Sequence, residues 1–258
     1  MKPWFTRLFV LALAFVCCVP AFATTIVIVR TANLIVIASD SKVQYQGAQG
    51  LPQGCKVARQ NETYYVVAGL AMDTYHGFLA GRTIASAIAR SNTFDEQVKA
   101  VEEDMQRDLQ KELDALKVDG PEAFKFAVTG DTPSSVGIVT IEAGVPKVAV
   151  FSFILDETTG KITVQRDTCP GTCTSDSYYV QLGGVITKEE AEKVQGAPLY
   201  IARTLVEKQI VRDPKNVGPP IEILELRASG PEWIQDDLNC AAEMNIRKKY
   251  PKTVTVQF

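Results

Sequence analysis

Histidine is all but missing from this sequence of 258 residues, which carries one, His76. A multi-histidine zinc centre is therefore not expected, and the cysteine spacings do not supply a zinc site either. Aromatic residues make up only 8% and the formal net charge is −3, so there is no basic footprint for a nucleic acid. No low-complexity tract and no run of like charge marks a disordered tail. Outside the N-terminus, no apolar run approaches the ~20 residues of a membrane span. These absences exclude a coiled coil, a collagen-like chain and a polytopic membrane protein. What is present is ordinary globular composition, 46% hydrophobic and 22% charged. The length suits one large domain or two small ones.

Residues 1–23 read as an address label. Lys2 and Arg7 precede an apolar stretch, Leu8–Val19, which ends in Pro20 and Ala21-Phe22-Ala23. A basic start, a short apolar middle and an A-x-A end describe a secretory signal peptide cut after Ala23. The alternative, an uncleaved anchor, has less apolar length than a span needs. The mature chain then starts Thr24-Thr25 and is expected to be secreted or periplasmic, with no membrane attachment. Four cysteines remain in that oxidising setting: Cys55, Cys169, Cys173 and Cys240. Four allow three pairings. The tight Cys169-Pro-Gly-Thr-Cys173 loop contains a turn pair and favours Cys169–Cys173, which leaves Cys55 with Cys240.

Two nearly unbroken β-branched runs follow, Thr25–Arg30 and Leu34–Ser39, joined by three residues. They read as a hairpin buried on both faces, hence a central layer. Glu62–Ala68 is a third strand. Met72–Arg90 reads as a helix, which places His76 on it in a structural or surface role. A second helix opens at Thr93 with a Thr/Glu96 capping box. Its stripe Phe94, Val98, Val101, Met105, Leu109 should run to a stop near Gly120. Strands are then expected at Ala123–Val128, Val136–Ile141, Val148–Ile154, Ile162–Gln165 and Tyr178–Leu182. Helices return at Lys188–Val194 and Pro198–Val211, before a last core strand at Ile221–Leu226. From residue 231 a C-terminal extension offers a helix near Trp233–Lys249 and a strand at Thr253–Phe258. Helices grouped between groups of strands indicate α+β. Two face-to-face sheets, each covered by a helix pair, would bury the opening hairpin on both sides.

The new N-terminus carries the chemistry. A threonine in first position has a hydroxyl and a free α-amine on one residue. The hydroxyl is a weak nucleophile that needs a base, and an α-amine titrating near ~8 can serve. Nearby positive charge would lower that amine's pKa, and a buried lysine supplying it would need a carboxylate. Asp40 lies 16 residues beyond Thr24, at the end of the second strand, and Lys56 lies 32 beyond it.

Thr24-Thr25-Ile26-Val27, Ala38-Ser39-Asp40-Ser41, Lys56 and Ala68-Gly69-Leu70-Ala71-Met72-Asp73 together resemble the proteasome β-subunit-type N-terminal-nucleophile (Ntn) hydrolases. Ala202, Arg212-Asp213 and Asn216-Val217-Gly218 extend the resemblance through about residue 228. It implies a four-layer αββα sandwich with two antiparallel sheets, spanning residues 24–230. It also implies roles: Thr24 as nucleophile and base, Lys56 tuning them, and Asp40 holding Lys56. Gly69 would present a backbone N–H to the oxyanion, and Asp213 would stand near the amine. Where the family carries serines near the amine, this chain has Leu182-Gly183-Gly184-Val185 and Asn216.

The expectation is a threonine-type peptidase or amidase that needs no cofactor and no metal. Its partners would be a peptide or small amide substrate and, as an open question, further copies of itself. The rival is a catalytically silent protein that keeps the fold as a binding or assembly module.

Overall fold

The computed structural model describes residues 24–43, 53–73, 75–130, 132–173, 178–184 and 186–249. The segment read as a signal peptide and the strand expected at Thr253–Phe258 lie outside them.

β1 (Ile26–Arg30) and β2 (Leu34–Asp40) form the expected antiparallel hairpin, in register from Ile26↔Ser39 to Arg30↔Ile35. All of β1 and nearly all of β2 is buried. Successive side chains of a strand point to opposite faces, which explains why both runs are apolar throughout. Ile26, Ile28, Ile35 and Ile37 pack with Val57, Val66 and Val139. Val27, Val29, Val36 and Ala38 pack on the other face with Ala202, Leu205 and Val206.

The hairpin is central in a five-stranded sheet that also holds β10 (Tyr178–Leu182), β11 (Ile221–Arg227) and β12 (Gly230–Gln235), in the order β10-β1-β2-β11-β12. A second sheet is built from β3 (Val57–Gln60), β4 (Thr63–Gly69), β7 (Ser134–Glu142), β8 (Val145–Asp156) and β9 (Lys161–Cys169), in that spatial order. A short ladder joins β5 (Met72–Asp73) to β6 (Phe78–Leu79). The neighbouring strands in both large sheets run antiparallel. The protein is thus a mixed α and β chain with antiparallel sheets.

Helices α1 (Ala80–Ala89) and α2 (Phe94–Asp119) close an apolar cluster with the second sheet, joining Ile84, Ile88, Met105 and Leu109 to Phe151 and Phe153. The Thr93/Glu96 capping box forms and Gly120 ends α2. The expected stripe from Phe94 to Leu109 is buried and continues through Leu113 and Leu116. The remaining helices are α3 (Pro121–Ala127), α4 (Lys188–Glu192), α5 (Pro198–Arg212) and α6 (Cys240–Lys249). Among the described residues no helix is long and apolar enough to cross a membrane.

Three local expectations are corrected. Met72–Leu79 is a hairpin, not the start of a helix, and His76 lies in its turn. The Asp73 carboxylate accepts the Tyr75 N–H at 2.7 Å, a turn that competes with helix, and Gly77 is left-handed at φ 80°. Ala123–Val128, expected as a strand, falls in and just after α3, because Pro121 occupies the first helical turn where its ring is tolerated. Trp233 belongs to a strand, paired with Leu224. The last helix starts only at Cys240, where Asp236 accepts from the Ala241 N–H at 3.1 Å. β3 was not anticipated, since four residues with half their side chains buried leave little pattern.

Glu222 of β11 is 1% exposed. One oxygen accepts the Leu238 N–H at 3.1 Å, and the other has no hydrogen-bond partner. Burial, with Asp236 and Asp237 nearby, pushes its carboxyl up to about 7. The unfolded chain then releases this proton from about pH 4.5 upward while the fold retains it, so stability is lost as pH rises to about 7. Glu222→Gln should remove that loss. Denaturant titrations should show equal stability near pH 4 and a variant more stable by roughly 1–3 kcal/mol at pH 8.

Candidate active site

Asp40 organises the site from the end of β2. It is 0% exposed, so both carboxylate oxygens need partners within the protein. Oδ1 accepts the Thr25 N–H at 2.8 Å and the Lys56 ammonium at 2.6 Å. Oδ2 accepts the N–H of Lys42 at 3.1 Å and that of Gly218 at 3.3 Å. The Asp40 N–H in turn donates to the Thr25 carbonyl at 3.1 Å. One side chain therefore ties together the start of β1, the second residue after β2, the loop before β3 and the loop before β11.

The Lys56 side chain is 7% exposed. Burial pulls its pKa below the ordinary lysine range, and the Asp40 carboxylate opposes that pull. Several contacts fix its loop. The Gly54 N–H donates to the Ser41 carbonyl at 2.9 Å. Cys55, immediately before the lysine, is disulfide-bonded to Cys240 at the start of α6, with Cα atoms 5.6 Å apart. Cys169 is joined to Cys173, so both favoured pairs are formed.

Thr24 is half-buried beside Gly183, where a Cβ would lie 2.0 Å from the Thr24 carbonyl oxygen. Only glycine fits at that approach, and φ there is +66°. The same Cβ would touch Ala68 at 3.5 Å, so the end of β4 meets the start of β1 here. Gly69 is the exposed last residue of β4. Its φ is +91°, and a Cβ would stand 2.4 Å from the Pro133 carbonyl oxygen.

Strand alternation separates the two threonines. Thr24 continues the series of Ile26 and Ile28, which faces the second sheet, and Thr25 that of Val27 and Val29. Thr25 is fully buried and its hydroxyl has no hydrogen-bond partner.

Asp213 caps the C-terminal end of α5. The Asn216 amide donates to both of its oxygens, at 2.9 and 3.0 Å. Two residues on, Gly218 reaches Asp40, which links the Asp213 loop to the centre of the site. Asp40, Lys56 and the Thr24–Thr25 backbone are thus brought together directly, Gly69 through Ala68 and Gly183, and Asp213 through its loop.

Sequence reasoning missed Lys42. Its ammonium accepts nothing and donates twice, to the carbonyls of Pro214 at 2.9 Å and Lys215 at 2.8 Å, locking the Asp213 loop to the end of β2. No motif marks such a lysine, because backbone carbonyls are its only targets. A cavity of about 510 Å3, bordered by Gln53, Arg203, Pro219 and Gln235, contains none of the five candidate residues.

No family model matches the chain, and no curated protein does. Solved structures that it resembles include a Gly-1 mutant of Anbu from Hyphomicrobium sp. strain MC1, 13% identical, with a TM-score of 0.48 over 91% of this chain and 100% of that one. Another is Anbu (ancestral beta-subunit) from Yersinia bercovieri, 14% identical, with a TM-score of 0.49 over the same shares. They support no functional statement about this chain. The expected membership of the proteasome β-subunit-type Ntn hydrolases is corrected: no family model and no curated protein places the chain among them.

Proposed function

We propose that the chain is an amide hydrolase whose nucleophile is the Thr24 hydroxyl, acting on a peptide or small amide in a secreted or periplasmic setting. One observation carries this reading. A single oxygen, Asp40 Oδ1, binds both the Lys56 ammonium and the N–H of the residue after Thr24, at 2.6 and 2.8 Å. The ammonium therefore stands within about two hydrogen-bond lengths of the Thr24–Thr25 backbone.

In the full chain the Thr24 nitrogen is an amide, bonded to Ala23. Cleavage after Ala23 makes it an amine, and the nearby ammonium lowers that amine's proton affinity. The amine takes the hydroxyl proton as Thr24 attacks the substrate carbonyl. The Gly69 N–H is assigned to the oxyanion, and Asp213, with Asn216, to the surroundings of the amine. Collapse expels the substrate's amine with a proton and leaves an ester on Thr24, which water hydrolyses. The three apolar clusters support a four-layer αββα order, in which the site opens at one end of the two sheets.

A second reading, a silent binding or assembly module that includes self-association, is favoured by the bare Gly183–Gly184 turn, which has no hydroxyl to offer the amine. A peptide epoxyketone, which reacts with hydroxyl and amine together, separates the two. Incubated with the processed chain, it should give a one-to-one adduct at residue 24 by peptide mass mapping. A processed chain that stays unlabelled at saturating reagent would favour the module.

A further inference from the structure

Away from Thr24, the chain's only histidine sits among three carboxylates. Asp73 ends β5, His76 occupies the β5–β6 turn, and Glu112 and Asp119 lie on the last turns of α2. His76 Nδ1 is 2.9 Å from Asp73 Oδ2 and 3.3 Å from Glu112 Oε1. On the other side of the ring, Nε2 faces Asp119 Oδ2 at 3.6 Å. Glu112 is the most enclosed of the group, with its side chain 3% exposed, against 16% for His76 and 18% for Asp73.

From this geometry we propose that Asp73, His76 and Glu112 form a binding site for one first-row divalent cation, of the Zn2+ or Mn2+ kind. Three features point there. First, one ligand atom from each residue lies within 4.8 Å of the others. Ligands about 2.1 Å from a common ion stand roughly 3–3.5 Å apart at tetrahedral or octahedral angles, the range of the two contacts to Nδ1. Second, the ring turns Nδ1 toward both inner carboxylates, while Nε2 is buried without a hydrogen-bond partner, its facing Asp119 oxygen standing off at 3.6 Å. Third, the charge is out of balance. Among the described residues no lysine or arginine is within ion-pair range of Asp73, Glu112 or Asp119. One imidazole faces three carboxyl groups here, and a dication would satisfy the two inner ones.

The imidazole selects a transition ion over Ca2+ or Mg2+, which prefer oxygen alone. The ion would clamp the β5–β6 hairpin, which begins three residues after Gly69, to the long helix α2. This assignment stands apart from the hydrolase reading and is tested without an activity.

The full chain, stripped with a chelator and dialysed, is titrated with ZnCl2 and with MnCl2 by calorimetry, and its melting is followed in parallel. One ion per chain is expected with at least one of the two metals, together with a Tm rise of about 5 °C at saturation. His76→Ala should abolish binding. Glu112→Gln, which keeps the helix and a hydrogen-bonding side chain, should weaken it at least 100-fold while the circular dichroism spectrum is unchanged. No binding tighter than about 100 μM with either metal would overturn the site. So would stoichiometric binding that survives both His76→Ala and Glu112→Gln. The carboxylates would then be sharing protons with His76 alone.

Discussion

Thr24→Ala in the processed chain should abolish turnover and leave the fold standing. The substitution removes the only atom assigned to form the acyl bond. Background amide hydrolysis by positioning and oxyanion stabilisation is all that would remain. A fall of at least about 10,000-fold in kcat/KM is expected, some 5 kcal/mol of transition-state stabilisation. Stability should hardly change. Thr24 is half-buried ahead of β1, and the contacts there, its carbonyl against Gly183 and the Thr25 N–H to Asp40, are made by backbone that alanine keeps. Thr24→Ser retains hydroxyl and amine and should keep measurable turnover. Thr25→Ala is the control for register. It points to the opposite face, so turnover should survive. If Thr25→Ala is dead and Thr24→Ala is not, processing occurs one residue later. If Thr24→Ala retains full turnover in a chain whose mass confirms a start at residue 24, hydrolysis by this residue is ruled out.

The parts of this arrangement that could be read from sequence are those with a strong local or positional signal. The doubly buried hairpin follows from two unbroken β-branched runs, and α2 from a capping box and a stripe. Lys56 and Asp40 were legible only as offsets from Thr24, since each is an ordinary loop or strand-end residue in isolation. Elements set by tertiary competition were not legible. Met72–Leu79 has helical composition, yet the Asp73 carboxylate and a left-handed Gly77 turn it into a hairpin. The Lys42 ammonium targets backbone carbonyls and Gly218 donates its own N–H, so neither residue type leaves a motif. His76 falls in the same class. Two of its three carboxylate neighbours come from positions 36 and 43 residues further on, a separation that no local spacing displays.

Breaking the Lys56–Asp40 pair should unsettle the fold more than its size suggests, and in an asymmetric way. Lys56→Met fills the lysine's volume but leaves a fully buried carboxylate with backbone N–H groups as its partners. Asp40→Ala removes the acceptor for Lys56 and for the N–H groups of Thr25, Lys42 and Gly218 together. Removing one member of a buried pair costs about 3–5 kcal/mol, and for a chain of this length that is a Tm drop of roughly 10 °C. Asp40→Ala should be the worse of the two. The double variant should be no less stable than Asp40→Ala alone, because Lys56 has nothing left to neutralise. The departure from additivity, at least about 2 kcal/mol, measures the pair. Strict additivity in denaturant titrations would mean that the two ions do not interact. The pH profile adds a separate check. Burial lowers Lys56 below its ordinary 10.5, so in the alkaline range the unfolded chain binds more protons than the fold. The Lys56 contribution to stability must then rise as pH climbs toward 10.5, and Lys56→Met should lose that rise. A neighbouring amine needs a nearby positive charge, and the Lys56 ammonium, 7% exposed and held by Asp40, supplies one that water screens little.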